Sequence, residues 1–257
     1  MGEEKYSPLL ADGKPVENIV FIGGVIALAA AIQSLAGFGF ALVAIALLPF
    51  FLELQLAIPL VLLMCLLNSM GLWLYYWDDF EWKAIAPLVL SALVAIPVGL
   101  VGLHYVPEAI ALKALGAFVV LYVAYDALQL FTPIATMPAL DSPRWAYLFG
   151  GISGFLTGAF TTGGPPLVMY ANSKEWSPEQ FKGNLPGVYV VALAFALMGH
   201  YFEGHLTLEL WKMALYITPM FAAGMGVGIL LAQKIDAVSF KRIVLSLLGV
   251  IGLELIW

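Results

Sequence analysis

The chain has 257 residues, of which 62% are hydrophobic and only 11% charged, whereas soluble domains carry about a quarter charged residues. That balance excludes a water-soluble globule and predicts an all-α, polytopic bundle of membrane helices whose main partner is the lipid bilayer. The net charge of −6 sits mostly in the N-terminal tail and the loops, which argues against nucleic acid as a partner.

Residues 1–17 contain Glu3, Glu4, Asp12 and Glu17 and lack the basic start of a signal peptide, so they read as an exposed tail. Apolar runs then predict segments near 18–52, 55–77, 84–103, 109–131, 144–172, 184–200, 213–232 and 238–257, most of them near the ~20 residues that one crossing requires. The first run is too long, because 35 helical residues would measure ~52 Å against a hydrocarbon core of ~30 Å. It must bend or double back, and the place is Gly37-Phe38-Gly39-Phe40, just after the polar pair Gln33 and Ser34. The lone cysteine, Cys65, leaves no partner for an intramolecular disulfide. The fifth run is interrupted by Thr161, Thr162, Gly163, Gly164, Pro165 and Pro166. Glycine relaxes the backbone and proline removes a donor, so a helix stops there as well.

The two interruptions occupy matching places. A shift of 124 residues puts Gly39 on Gly163, and a shift of 129 superposes Trp82-Lys83 on Trp211-Lys212 and Val98-Gly99 on Val227-Gly228. Residues 18–131 and 143–257 therefore read as two homologous modules joined by a linker, 132–142. If each broken element crosses once, the copies are parallel; if it re-enters as a hairpin, the crossings are odd and the copies are inverted. The basic residues favour inversion. In that layout Lys83, Arg144, Lys174, Lys182, Lys234, Lys241 and Arg242 share one face, and Lys5, Lys14, Lys113 and Lys212 the other, which puts both termini outside a cell membrane.

Paired interrupted segments are the best sequence pointer to a transporter's midplane site. Backbone freed from a helix at membrane depth must be buried in protein or line a polar cavity, and a helix restarting after the break aims its N–H groups at an anion. The candidate substrate-binding residues are Gln33, Ser34, Gly37, Phe38, Gly39 and Phe40 at the first break, and Thr161, Thr162, Gly163, Gly164 and Pro165 at the second. Asn68 and Asn172, amides in or near apolar runs that need partners, join them. Asp126 and Glu254, near the ends of the last segment of each module, are weaker candidates for coupling to H+ or Na+. Gly150, Gly154 and Gly158 recur every four residues, a pattern assigned to close helix packing. His104, His200 and His205 lie at segment ends or in loops with a spacing that forms no metal site, and no cofactor is expected.

The stretches Ile32 to Ala44 with Pro49, Gly154 to Gly158, Gly163 to Tyr170 and Phe181 to Asn184 together resemble the TauE/SafE family of sulfite and organosulfur anion exporters, in the 4-toluene sulfonate uptake permease superfamily. The Gly163-Gly164-Pro165-Pro166 stretch is the most specific part of the resemblance. It implies secondary transport of small anions such as sulfite, sulfoacetate or related sulfonates, with no enzyme activity. Related thiosulfate importers use several cysteines, whereas this chain has one. The substrate, the direction, the coupling ion and a homodimer are left open. Two other readings use the same residues: a carrier or channel for another small anion such as a carboxylate, and, remotely, an intramembrane serine protease built on Ser153 and His200.

Overall fold

A computed structural model describes residues 15–131, 142–174, 176–232, 249–250, 252–254 and 256. The tail up to residue 14, all of the linker but Ser142, and most of the last predicted segment lie outside the described residues. Among those described there is no strand. The helices are α1 (Pro15–Ala36), α2 (Phe40–Leu47, continued by a 3-10 turn over Leu48–Phe50), α3 (Leu54–Tyr75), α4 (Trp82–His104), α5 (Glu108–Phe131), α6 (Pro143–Phe160), α7 (Gly164–Asn172), α8 (Pro178–Phe202) and α9 (Leu208–Leu231). Five stretches are long and apolar enough to cross a bilayer: Ile19–Ala36, Leu54–Tyr75, Trp82–Leu103, Pro178–Phe202 and Leu208–Leu231. Large apolar side chains such as Val94, Val98, Leu121, Leu215 and Leu230 are exposed. In water these would form an aggregation-prone surface; against lipid they are the expected coat.

Both predicted breaks are hairpins. Phe21, early in α1, stacks on Phe51 with ring centroids 5.7 Å apart, and a Cβ added at Gly39 would touch Ile32, so α2 runs back along α1. Likewise the Phe149 and Tyr170 rings lie 6.0 Å apart and Ser153 Oγ donates to the Gly163 carbonyl at 2.7 Å, so α7 runs back along α6. The broken elements enter the bundle and return to the side they came from.

Helix directions follow from the contacts. The start of α8 sits on the connection after α3: Gly183 lies against the carbonyls of Tyr76 and Asp79, and the Glu81 N–H donates to Asn184 Oδ1 at 2.8 Å. Further on, Gly187 meets Trp73 and Phe80, so α3 and α8 are antiparallel. Gly150, Gly154 and Gly158 of α6 lie on the backbone of Leu88, Ala92 and Ile96 in α4, in register, and the pair is parallel. Gly224 and Gly228 of α9 lie in the same way on Ala27 and Ala31 of α1. Short connections make α4 antiparallel to α3 and α9 antiparallel to α8. Consequently α1 runs opposite to α6, α3 to α8, and α4 to α9.

The glycine faces act through distance. A missing side chain lets two backbones approach until dispersion and Cα–H···O contacts form, which is how helices associate where lipid offers no hydrophobic drive. At the end that carries the 76–81 connection, Tyr75, Trp77 and Trp82 are exposed. Tyr105, Tyr201, Phe202 and Trp211 are exposed at the other. Aromatic rings at both ends of an apolar bundle mark the two headgroup levels.

Candidate functional site

The hairpin tips meet inside the bundle. Gly37 and Gly39 take φ of +83° and +105°, and the chain then enters α2 with no side-chain cap on its first turn. At the second tip Thr161 adopts φ +62°, the left-handed conformation that ends α6, while the N–H groups of Thr161 and Thr162 return to the carbonyls of Thr157 and Leu156. A β-branched residue in that region is an outlier costing about 1–2 kcal/mol, and glycine would avoid the cost. The threonine is therefore held there by its surroundings.

A small cavity of about 20 Å³ lies between the tips, lined by Gln33, Gly39, Phe40, Ala41 and Leu42 from the first hairpin and by Thr157, Thr161, Thr162, Gly163 and Gly164 from the second. Cys65 of α3 and Tyr189 and Leu193 of α8 complete the wall. Among the described residues no Asp, Glu, Lys or Arg lines it. Thr161 and Thr162 are buried, and Thr161 Oγ1, Thr162 Oγ1 and Tyr189 OH have no hydrogen-bond partner among the described residues. Each such group forfeits about 1–3 kcal/mol if nothing else satisfies it, and three of them around one cavity amount to a set of donors awaiting an acceptor. Two short helices begin at the same place. The first turn of α2 presents the N–H groups of Phe40, Ala41 and Leu42, whereas Pro165 and Pro166 strip two donors from the first turn of α7. The amides of the second tip are fewer than a simple helix start provides, and the threonine hydroxyls stand in their place.

The remaining candidates fall elsewhere. Ser34 Oγ donates to Asn68 Oδ1 at 3.4 Å and Gln33 Nε2 to Ser69 Oγ at 2.9 Å, so both tie α1 to α3, and of the two only Gln33 reaches the cavity. Gly37 lies against Phe181 and Lys182. The Phe38 ring meets Tyr122 edge-on at 6.5 Å. Pro165 is buried in the first turn of α7, and Asn172 is exposed at the end of that helix. Glu254 is exposed, and the side chain of Asp126 lies outside the described residues. Ser153 gives its proton to the Gly163 carbonyl, a bond that pins the second hairpin.

Tyr189, Cys65 and Thr157 were not among the sequence candidates. A phenol within the apolar run Val188-Tyr189-Val190 is a signal, since a buried tyrosine hydroxyl needs a partner; Cys65 and Thr157 carry no such mark. Two of the histidines that lie five residues apart in the sequence are brought together by the fold. Gly204 takes φ +77° and the His205 N–H returns to the His200 carbonyl at 3.0 Å, a left-handed helix stop. That turn folds His205 back beside His200, and the ligand atoms of His200, Glu203 and His205 come within 4.8 Å of one another. Linear spacing on a continuous helix misses this. The three residues line a second cavity of about 240 Å³, at the end of the bundle carrying the 203–207 connection. Gly158 on its wall is the chain neighbour of Thr157 in the central cavity.

An all-α bundle with an apolar coat, two aromatic rims and two hairpins whose tips flank a hollow bearing hydroxyl groups defines a multi-pass membrane protein. Residues 22–255 match the sequence profile of the sulfite exporter TauE/SafE family, and the chain belongs to that family. Searches of curated proteins and of solved structures returned no match.

Proposed function

We propose that this protein is a secondary carrier that exports small sulfur oxyanions, such as sulfite, sulfoacetate or related sulfonates, by alternating access around the cavity between the hairpin tips. The observation that carries the reading is the trio of buried, unpartnered hydroxyls of Thr161, Thr162 and Tyr189 on one cavity wall. Hydroxyl and amide donors recognise an oxyanion without a fixed positive charge, which permits release as well as capture. A cavity of about 20 Å³ has room for about one water molecule, so an anion enters only when the tips part. The larger cavity is the vestibule on one side of that gate.

Residues 18–131 and 143–257 act as inverted copies in this reading. It is supported by the opposed directions of α1 and α6, α3 and α8, and α4 and α9, and by one contact that occurs twice. Gly99 rests on the Phe155 backbone as Gly228 rests on that of Ala31, and these pairs are related by the sequence offsets of 129 and 124. One module rocking on the other then exposes the cavity to either face. Lys83, Arg144, Lys174 and Lys182 lie at the 76–81 end, and Lys113 and Lys212 at the opposite end, so the first is the cytoplasmic face of a cell membrane. A membrane-impermeant maleimide applied to intact cells is expected to label Lys212→Cys and spare Lys174→Cys until the membrane is opened; the reverse pattern refutes this orientation.

Counterflow in proteoliposomes tests the carrier. Vesicles preloaded with sulfite are expected to accumulate labelled sulfite transiently and saturably. Flux that never saturates and shows no counterflow would identify a channel instead. Sulfoacetate and short carboxylates as competitors define the substrate class, and a homodimer or coupling to H+ or Na+ is read from the same preparation.

A further inference from the structure

We propose that His200, Glu203 and His205 form a divalent transition-metal site of the zinc type on the wall of the larger cavity. His200 Nδ1 and His205 Nδ1 face each other at 2.9 Å, and Glu203 Oε2 lies 3.3 Å from His205 Nδ1 and 3.8 Å from His200 Nδ1. The three atoms lie on a circle of radius about 2.0 Å, the length of a Zn²⁺ bond to imidazole nitrogen or carboxylate oxygen; opening the nitrogen–nitrogen edge and closing the longer nitrogen–oxygen edge by about half an ångström each lifts the ion out of that plane into a tetrahedral position. A proton shared between the two rings would explain the short nitrogen–nitrogen distance alone. The carboxylate oxygen at the third corner, within 4 Å of both nitrogens, supplies the third donor and the negative charge that a cation requires.

The chain builds this geometry locally. His200 sits in the last turn of α8, Glu203 is the helix-ending residue, and the left-handed turn at Gly204 reverses the backbone so that His205 returns to the same side. His200 is buried, Glu203 exposed and His205 partly exposed, an arrangement that anchors one ligand and leaves the site reachable. Two histidines and one glutamate are a donor set that zinc uses with a fourth position open, and nitrogen with oxygen donors suits Zn²⁺, Co²⁺ or Ni²⁺ better than Mg²⁺ or Ca²⁺. The fourth ligand comes from the cavity, whose other walls are chiefly apolar, with Leu54, Ile58, Leu100 and Leu103 among them. One dication on this ligand set leaves a local charge of about +1, because neutral imidazoles and a single carboxylate contribute only −1. A positive vestibule wall would gather anions beside the path to the central cavity.

Tag-free protein in detergent, freed of metal by chelator and titrated with Co²⁺ alone, provides the test. One equivalent is expected to bind with the intense visible bands of tetrahedral cobalt, and Zn²⁺ is expected to displace it. Glu203→Gln, at an exposed position, and His205→Gln, at a partly exposed one, are each expected to weaken Co²⁺ binding at least about 100-fold, the upper end of what removing even an outer-shell partner costs, with the metal-free melting temperature unchanged. Failure of the wild type to bind one equivalent of either ion, or affinity unaltered in both variants, overturns the proposal. Metal binding is read without transport, so the result stands apart from the fate of the carrier reading.

Discussion

Replacing Thr161 with glycine and Thr162 with valine is expected to lower sulfite affinity by about 10- to 100-fold for each hydroxyl lost, the worth of a hydrogen bond to a charged group. The two positions separate binding from folding. Thr161 occupies a left-handed conformation that glycine adopts freely, so Thr161→Gly removes the hydroxyl while relieving about 1 kcal/mol of backbone strain. A variant that melts no lower than the wild type yet binds sulfite weakly places the hydroxyl in the site. Thr162→Val keeps the shape and deletes the donor. Tyr189→Phe is expected to follow the threonines, since the Tyr189 hydroxyl faces the same cavity. Ser34→Ala is the control: that hydroxyl is committed to Asn68, and affinity should stay within about threefold, or under 1 kcal/mol. Calorimetric titration with sulfite on purified protein makes the measurement. Wild-type affinity in the Thr161→Gly and Thr162→Val double variant would remove both residues from the site and the carrier reading with them.

The second large effect lies in the helix seams. Gly154→Val is expected to destabilise the protein by more than about 3 kcal/mol, because the new side chain would strike the backbone of Ala92. Side chains can rotate aside, but backbone cannot, and α6 would have to leave α4. Gly151, one position beyond Ile152 from Ser153 on the same helix, has nothing within 4 Å of an added Cβ. There Gly151→Ala is expected to be neutral or stabilising by up to about 1 kcal/mol through helix propensity. Thermal unfolding in detergent, followed by size-exclusion chromatography, compares the pair. Equal stability of the two variants would mean that the α4–α6 contact does not hold the bundle together.

The contrast between these glycines marks how far the linear pattern could be read. Spacing by four along Gly150, Gly154 and Gly158 identified a packing face, and that face is where α6 meets α4. It did not reveal that α9 meets α1 by the same device at Gly224 and Gly228. The helix stops at Gly37 and Gly39 and from Thr161 to Gly164 were legible because glycine and proline act on their own backbone. Whether the chain crossed or returned was not, since both routes begin with the same stop and are separated only by contacts such as Phe21 on Phe51. Gln33 and Ser34 illustrate the same limit. Both are polar and buried, but one reaches the cavity and the other is spent on Asn68, a difference of about 100° around α1 that depends on where α3 packs.

Composition alone placed this chain in a membrane, because a sequence so poor in charge cannot hydrate its own surface, and local backbone chemistry alone placed the two interruptions and their glycines, threonines and prolines. Tertiary structure decided the rest. Bringing the tips of two hairpins together around Tyr189, and folding His205 onto His200 through a left-handed glycine, depends on which surfaces of distant segments fit closely enough to exclude lipid. That fit is a property of pairs of helices and is written in neither one separately.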